Sequence, residues 1–303
     1  MIPPTPLEEA PGSLAGIGRV FLKREDSHEL GSFKWRGALP VLEDHLARGA
    51  KGVVTASTGN HGAATAWAAR RLGLDATVYA PLSASRAKLA ILESLGAWIR
   101  LAGKDLDDAK NEARGFARRS GLPFFEDGAE PAQYEGYGAI AAETLEQCPF
   151  PPSVLIVPVG NGALIGGIGL VIKRQSPRAL VVGVAAKEAP VMALSFEAGL
   201  PVPCDRMATF ADGLAVRVAV PYAVEVLRRV VDRMLLVSER EIAHGLGAAA
   251  RCALRLEGAA AAAFAALPHL EEVPGPIVLV VTGKNIDEET YRRALQKPES
   301  FPE

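Results

Sequence analysis

Three segments of the sequence combine residue types that bind anions or attack a carbonyl group. The first is the turn Ser-Thr-Gly-Asn-His-Gly at residues 57–62, which follows the predicted strand Gly52–Ala56 and opens the predicted helix Gly62–Leu72. It places backbone N–H groups beside two hydroxyls, an amide and an imidazole, and such a turn suits a carboxylate or a phosphate. A turn that only caps the helix is the alternative.

The second segment is a glycine-rich turn at residues 159–167, after the apolar predicted strand Val154–Val159. Four glycines within residues 160–167 allow the backbone to approach an anion closely. The turn is not a Walker loop, because no Gly-Lys-Ser/Thr follows. It is not the dinucleotide-binding fingerprint either, because the spacing differs and residues 180–184 contain no acidic side chain. A phosphate cradle is predicted, with close packing of helix on strand as the alternative.

The third segment contains Lys34, which lies between Phe33 and Trp35 at the start of a predicted helix. A lysine in this position is ordinarily solvated. Where aromatic neighbours exclude water, however, the pKa of the lysine falls. The neutral amine is then a nucleophile suited to Schiff-base chemistry. A fourth segment, Thr282–Asn285, follows the last predicted strand and by itself indicates only a turn.

The elements that must position these residues alternate between strand and helix along the chain. The predicted strands are Val20–Arg24, Gly52–Ala56, Ala76–Ala80, Trp98–Leu101, Pro123–Phe125, Val154–Val159, Leu180–Ala185, Leu235–Val237 and Ile277–Thr282. Such alternation predicts crossover units, so we expect an α/β fold with two open, mainly parallel sheets flanked by helices. The four strands between residues 50 and 131 form the smaller domain. Residues 1–49 and 132–303 form the larger one.

The composition excludes several classes of protein. The chain has 303 residues and a net charge of −2, with 49% hydrophobic and 22% charged residues, which is ordinary globular composition. A near-neutral chain offers no surface for a polyanion, so no nucleic-acid partner is expected. No apolar run approaches the length of a membrane span, and the proline-rich start has no signal-peptide pattern. Cys148, Cys204 and Cys252 are widely spaced, which fits a reducing cytoplasm.

Taken together, the segments resemble the motifs of one enzyme family in the correct order. Residues 23–26 with 31–38 resemble its "K-x-E…G-S-F-K-x-R-G-A" segment, and residues 57–62 resemble its "S-x-G-N-H-G" turn. Residues 157–164 occupy the place of its phosphate loop, and residues 282–285 resemble its "S-G-G-N". The family is the fold-type II, tryptophan synthase beta-like pyridoxal phosphate (PLP) enzymes. It includes serine/threonine dehydratases, serine racemase, threonine synthase and cysteine synthase.

The resemblance implies a PLP cofactor and a role for each matching residue. Lys34 would form the Schiff base with PLP. Around the ring, Phe33 would pack against it, Asn60 would bond its hydroxyl and Thr282 would face its nitrogen. Its phosphate would be held by backbone N–H groups of Gly160, Asn161, Gly162, Ala163 and Leu164. The substrate carboxylate would be held by Ser57, Thr58, Gly59 and His61.

Several positions depart from the dehydratase pattern. Asn161 and Ala163 interrupt the usual run of glycines in the phosphate loop, and Tyr134–Gly138 has the form found in synthases and diaminoacid lyases. Glu257 is retained from the "E-P-S/T-G-A" segment, whereas its proline and hydroxyl are absent.

The departures also bear on metals and racemisation. The acidic residue of the racemase cation site corresponds to Ala185 or Ala186, so no metal is expected. Thr58 replaces the acid/base serine of the racemase, which disfavours racemisation. The resemblance also leads us to expect no appended regulatory domain.

We therefore expect a cytoplasmic PLP-dependent ammonia-lyase that converts L-threonine or L-serine to a 2-oxo acid and ammonia by β-elimination. Its partner would be a small amino-acid substrate, with no membrane or nucleic acid involved, in a homodimer whose smaller domain is mobile. A replacement enzyme, threonine synthase-like or cysteine synthase-like, is an alternative, as is a dehydratase for another hydroxyamino acid. A catalytically idle α/β protein that binds a nucleotide is the alternative from another class.

Overall fold

The computed structural model describes residues 2–11, 14, 18–271 and 275–303. The chain divides into two compact units, one formed by Met1–Phe33 with Tyr137–Glu303 and the other by Lys34–Gly136. Residues 34–49 and 132–136 fall in the smaller unit, whereas we assigned them to the larger domain. The reason is local packing within the smaller unit. There the ring of Trp35 packs edge-on against that of Trp67, with the ring centroids 6.1 Å apart. The cofactor-binding and mobile roles of the two domains stay predictions.

The larger unit contains a six-stranded sheet. Its strands are β1 (Leu7–Glu9), β2 (Val20–Arg24), β6 (Val154–Pro158), β7 (Leu180–Ala186), β8 (Arg233–Val237) and β9 (Ile277–Val281). The spatial order is β1-β2-β9-β6-β7-β8. Only β1 pairs antiparallel, through Leu7 opposite Lys23, and the other pairs are parallel.

Helices cover both faces of this sheet. The helices that lie wholly in this unit are α6 (Ala163–Gln175), α7 (Val191–Ala198), α8 (Pro221–Val230), α9 (Glu239–Arg251), α10 (Gly258–Ala265) and α11 (Glu288–Gln296). Ile156 belongs to the core cluster that includes α9 and α10, and its neighbours Leu155 and Val157 point to the opposite face yet are also buried. A strand buried on both faces is typical of a parallel sheet between helix layers.

The smaller unit contains a three-stranded parallel sheet. Its strands are β3 (Gly52–Ala56), β4 (Asp75–Ala80) and β5 (Trp98–Leu101), in the order β3-β4-β5. Its helices are α1 (Trp35–Ala47), α2 (Asn60–Leu72), α3 (Arg86–Ser94) and α4 (Leu106–Ser120), followed by the start of α5 (Pro131–Gln147). The predicted fourth strand at Pro123–Phe125 is reduced to one parallel bridge between Phe124 and Val54.

The α/β class with two mainly parallel sheets is confirmed. Parallel strands end at the same edge of a sheet, so the residues that follow neighbouring strands lie close together. In the larger unit, β9 and β6 are neighbours, and Thr282 follows one while the glycine-rich turn follows the other. In the smaller unit, the turn after β3 lies beside the residues that follow Phe125.

Two elements differ from the sequence prediction. β1 lies in the segment expected to be only an extended arm, and α7 occurs where no helix was predicted. In addition, α6 begins at Ala163 and not at Gly166, because the turn is already complete at Gly162, which has a φ of +89°. No helix in the described ranges is both long enough and apolar enough to cross a membrane.

Candidate active site

The glycine-rich turn leads directly into α6 and leaves no room for a Cβ at Gly160 or Gly162. A Cβ at Gly160 would lie 2.2 Å from the carbonyl oxygen of Gly213, and one at Gly162 would lie 2.9 Å from Leu227. The left-handed backbone at Gly162 adds a second reason for glycine there. The first turn of a helix has N–H groups without intrahelical acceptors, which attract anions. The turn therefore offers backbone N–H groups to a phosphate.

One N–H group of this turn already has a local acceptor. The Ala163 amide donates to Oδ1 of Asn161 at 3.0 Å. An amide side chain that accepts from the residue two positions on is a common way to stabilise a turn. Asn161 thus stiffens the turn where the dehydratase pattern has glycine. Its side chain has to turn away before the Ala163 amide can donate to a phosphate.

Thr282 lies at the end of β9 and is buried. Its hydroxyl donates to Oε1 of Glu257 at 3.4 Å, and Glu257 is itself buried at the start of α10. The carbonyl oxygen of Thr282 accepts the backbone N–H of Phe33 at 3.0 Å. The ring of Phe33 packs against that of Tyr137 with centroids 5.1 Å apart. These contacts fix the positions of Phe33 and Thr282 in the larger unit.

The turn after β3 is closed by its own side chains. Ser57 Oγ accepts the Gly59 amide at 3.2 Å, and the Ser57 amide donates to the carbonyl of Tyr79 at 3.1 Å. Asn60 is the first residue of α2, so it and His61 present their backbone N–H groups at the N-terminus of that helix. Ser57, Thr58 and Asn60 are partly exposed.

Lys34 has a carboxylate partner that the sequence analysis did not identify. Its Nζ lies 2.5 Å from Oδ2 of Asp127, and the side chains are 15% and 25% exposed. Burial alone would raise the pKa of Asp127, but the charge of Lys34 and hydrogen bonds from Lys34 and Gln133 hold that pKa well below its usual range. Asp127 is therefore an anion that holds the lysine ammonium group in one place.

The imidazole of His61 contacts residues of its own unit. Its Nε2 lies 3.0 Å from Oγ1 of Thr55, and its Nδ1 lies 3.7 Å from Oδ1 of Asp127. Burial lowers the pKa of His61, so the ring is neutral near pH 7. What His61 offers to a substrate carboxylate is therefore its backbone N–H, and its assigned role stays a prediction in that form.

Sequence reasoning missed Asp127 and two residues around it, namely Thr55, which contacts His61, and Gln133, whose Nε2 donates to Oδ1 of Asp127 at 2.6 Å. A signal was present, because Glu126 and Asp127 directly follow Phe125, at the end of a predicted strand. The other turns were selected because parallel sheets bind ligands at the carboxyl ends of their strands, and residues 126–127 also lie at such an end. Among the residues that the structure describes, no group of three or more His, Cys, Asp or Glu side chains could hold a metal ion.

Comparison with known proteins identifies the family to which the chain belongs. The model of the pyridoxal-phosphate dependent enzyme family matches residues 1–283. The chain is 34% identical over 284 residues to an L-threonine ammonia-lyase of Thermotoga maritima, covering 92% of this chain and 70% of that protein.

Two solved structures are similar over almost the whole chain. A processed threonine deaminase from Solanum lycopersicum superposes with a TM-score of 0.90 at 28% identity, covering 97% of this chain and 88% of that one. Maize serine racemase superposes with a TM-score of 0.89 at 26% identity, covering 98% of this chain and 93% of that one. The comparisons confirm the predicted resemblance, the fold class and the PLP dependence. The chain belongs to the family of pyridoxal-phosphate dependent enzymes.

Proposed function

We propose that the protein is a PLP-dependent ammonia-lyase that removes water from L-threonine or L-serine and releases a 2-oxo acid and ammonia. The observation that carries the proposal is the 34% identity with an L-threonine ammonia-lyase over 92% of this chain. The atoms balance, because the amino acid loses water across Cα and Cβ and then takes up water as ammonia leaves. No second substrate is required.

The residues present fit PLP. The cofactor has a phosphate, an aldehyde and a basic ring nitrogen. The turn at Gly160 suits the phosphate, because it leads into α6, whose first N–H groups lack intrahelical acceptors. Glycine is needed at position 160, because a Cβ would lie 2.2 Å from the carbonyl oxygen of Gly213. Lys34 supplies an amine for the aldehyde. Thr282 supplies a buried neutral hydroxyl for the ring nitrogen, to which its one hydrogen would have to turn from Oε1 of Glu257.

We therefore retain the predicted set of site residues. The proposed cofactor-binding residues are Phe33, Lys34, Asn60, Gly160, Asn161, Gly162, Ala163, Leu164 and Thr282. Ser57, Thr58, Gly59 and His61 are the proposed substrate-binding residues.

The chain supplies the proton transfers and the orientation. When bound, PLP supplies an electron sink for the bonds at the substrate Cα. The Lys34 amine takes the proton from that carbon as a general base. Thr282 is a neutral hydroxyl and cannot keep a ring nitrogen protonated as a carboxylate would. Negative charge is then less stabilised in the ring, which favours prompt loss of the β-hydroxyl over transamination.

The turn after β3 orients the substrate by binding its carboxylate. The N-terminus of α2 directs backbone N–H groups and a positive dipole end outward, and a carboxylate is the matching ligand. Ser57 and Thr58 add hydroxyl donors. Fixing the carboxylate sets which bond of Cα faces the base, so this turn would select the enantiomer.

Product analysis tests the proposal. The PLP-loaded protein would be incubated with L-threonine, L-serine or their D-forms, without a second substrate, and 2-oxo acid and ammonia would be measured. Equal amounts of both products from an L-form support the proposal. If a PLP-loaded protein gives neither product, but forms a new amino acid when a nucleophile or a phosphorylated substrate is added, it is a replacement enzyme and the proposal is wrong. The same panel extended to other hydroxyamino acids finds a dehydratase with a different side-chain preference.

We also propose that the protein acts in the cytoplasm as a homodimer with a mobile smaller domain. The three cysteines, all in described parts of the chain, form no disulfide, which suits a reducing compartment. Sedimentation equilibrium would show a mass of twice 31.9 kDa if the dimer forms.

A further inference from the structure

The carboxylate of Asp127 is held in a fixed orientation. Its Oδ2 accepts from Lys34 Nζ at 2.5 Å, and its Oδ1 accepts from Gln133 Nε2 at 2.6 Å. Gln133 is buried, and its own Oε1 accepts the Gly128 amide at 2.7 Å. The backbone at Gly128 thus positions Gln133, and Gln133 positions Asp127. One carboxylate oxygen is left for the lysine.

His61 does not compete with Lys34 for this carboxylate. His61 Nε2 lies 3.0 Å from Oγ1 of Thr55, which itself bonds the carbonyl of Phe125 at 2.9 Å. The other ring nitrogen, Nδ1, lies 3.7 Å from Oδ1 of Asp127, which is beyond hydrogen-bond distance. Burial lowers the pKa of His61, so the ring is neutral near pH 7 and adds no charge that would compete with Lys34.

The other nearby cations have a carboxylate of their own. Lys110 Nζ lies 2.5 Å from Glu126 and Arg114 lies 2.6 Å from the same residue. Glu126 directly precedes Asp127 in the chain. Among the described residues, Lys34 thus forms the ion pair with Asp127, while Lys110 and Arg114 pair with Glu126.

We propose that Asp127 is a positioning residue for the base Lys34, which it holds in place when the amine is protonated. The inference rests on the proposed function, in which Lys34 takes the Cα proton. In that step the C–H bond breaks, its electron pair stays on the substrate side and the proton goes to Nζ. Asp127 accepts an N–H bond from the new ammonium group but does not take its proton. The proton then leaves on the departing hydroxyl as water, and Lys34 returns to the neutral amine.

The first test needs no catalysis. The full-length protein, without added PLP, would be treated with limiting acetic anhydride near pH 7, and acetylation of each lysine would be measured by mass spectrometry. In Asp127→Asn the ion pair is lost, so acetylation of Lys34 should rise about tenfold relative to the other lysines. Asp127→Glu should keep the acetylation of Lys34 low, because a carboxylate is retained. Glu126→Gln is the matched control, because it removes the neighbouring carboxylate and should increase labelling at Lys110 and not at Lys34.

The second test follows proton abstraction itself. With the PLP-loaded protein in D2O, exchange of the Cα hydrogen of L-serine or L-threonine would be followed by NMR, whether or not a 2-oxo acid forms. Asp127→Asn should slow exchange about 100-fold with little change in KM, because the base is misplaced and not lost. Asp127→Glu should recover part of the rate, and Glu126→Gln should exchange like the wild type. Circular dichroism would confirm that each variant is folded.

The outcomes separate this inference from the proposed function. Exchange that depends on Asp127 without 2-oxo acid formation refutes the lyase and supports the inference. A lyase whose Asp127→Asn variant exchanges and labels like the wild type refutes the inference alone. Absence of exchange in the PLP-loaded wild type refutes both. If Asp127→Asn is unfolded, Gln133→Leu is used, since it releases the carboxylate from its fixed orientation and should slow exchange in the same way.

Discussion

The backbone N–H of Phe33 donates to the carbonyl oxygen of Thr282 at 3.0 Å, and Ser32 and Gly283 form an antiparallel bridge beside it. The residue that precedes Lys34 is thereby joined to the end of β9 by main-chain atoms alone. Two motifs from opposite ends of the sequence are brought together in this way. Because the contact does not involve the Thr282 side chain, replacing that side chain leaves it intact.

Substitution of Thr282 therefore reports on its hydroxyl. Thr282→Val keeps the shape but loses one hydrogen bond, worth about 1 kcal/mol, so PLP affinity should fall about fivefold. Thr282→Ser should bind PLP like the wild type. Fluorescence titration with PLP measures both. Equal affinity of all three proteins would show that this hydroxyl does not contact the cofactor.

Gly160→Ala tests the phosphate turn. The added Cβ would lie 2.2 Å from the Gly213 carbonyl, so the turn must shift and PLP affinity should fall at least about tenfold. Gly247→Ala is the control, because it lies within α9 and meets only the end of Arg251. That change should leave PLP binding unaltered and stabilise the protein by about 0.5 kcal/mol. Unchanged PLP affinity in a folded Gly160→Ala protein would contradict the placement of the phosphate.

Much of this arrangement could be predicted from the sequence, and the exceptions have physical causes. Strand Val154–Pro158 was predictable because an uninterrupted apolar run after Pro-Pro fits only a buried strand or a short buried helix. α7 was missed because Val191–Ala198 lacks a polar face that would show helical periodicity.

The candidate site, too, could be predicted only in part from the sequence. Motif order identified Lys34, whereas its pairing with Asp127 depends on the contact of residues 123–125 with β3. Pairing between segments distant in sequence leaves no periodic signal. Asp127 could therefore be suspected from its place after a strand, but its partner could not be named.

A buried ion pair near the start of the chain makes a prediction about stability. Lys23 is fully buried, and its Nζ donates to Glu143 at 2.6 Å and to the Thr5 carbonyl at 2.7 Å. Lys23→Met leaves Glu143 without its cation, so urea denaturation should show a loss of about 3 kcal/mol. Arg292→Met removes one partner of the exposed pair with Glu288 and should cost less than about 1 kcal/mol. A similar loss of unfolding free energy in the two variants would contradict the claim that the buried ion pair stabilises the protein more than the exposed one.

His61 makes a prediction about pH. Burial lowers its pKa in the folded protein, whereas in the unfolded chain it protonates near its ordinary value of about 6.5. The unfolded state thus binds more protons below that pH, and stability falls as the pH drops from 7 to 5. The depressed pKa of Asp127 acts only below about 4, where an unfolded aspartate protonates, and so does not affect this interval.

His61→Gln should therefore reduce the pH dependence of stability between pH 7 and 5, by up to about 1.4 kcal/mol per pH unit. His45, whose pKa is also lowered by burial, makes its own contribution. His45→Gln should reduce the slope separately, and the double variant should reduce it most. Urea unfolding at pH 7, 6 and 5 measures the slopes. A His61→Gln protein with the wild-type slope would show that the folded protein takes up a proton at this ring.

The most direct test of the central claim is the release of 2-oxo acid and ammonia from L-threonine and L-serine by the wild type and by Lys34→Ala, both supplied with excess PLP. The account predicts equal amounts of the two products from the wild type. Lys34→Ala should be slower by at least about 100-fold, because the general base is lost, while its circular dichroism stays that of the wild type. A Lys34→Ala protein that forms the products at the wild-type rate, or a PLP-loaded wild type that forms neither, would contradict it.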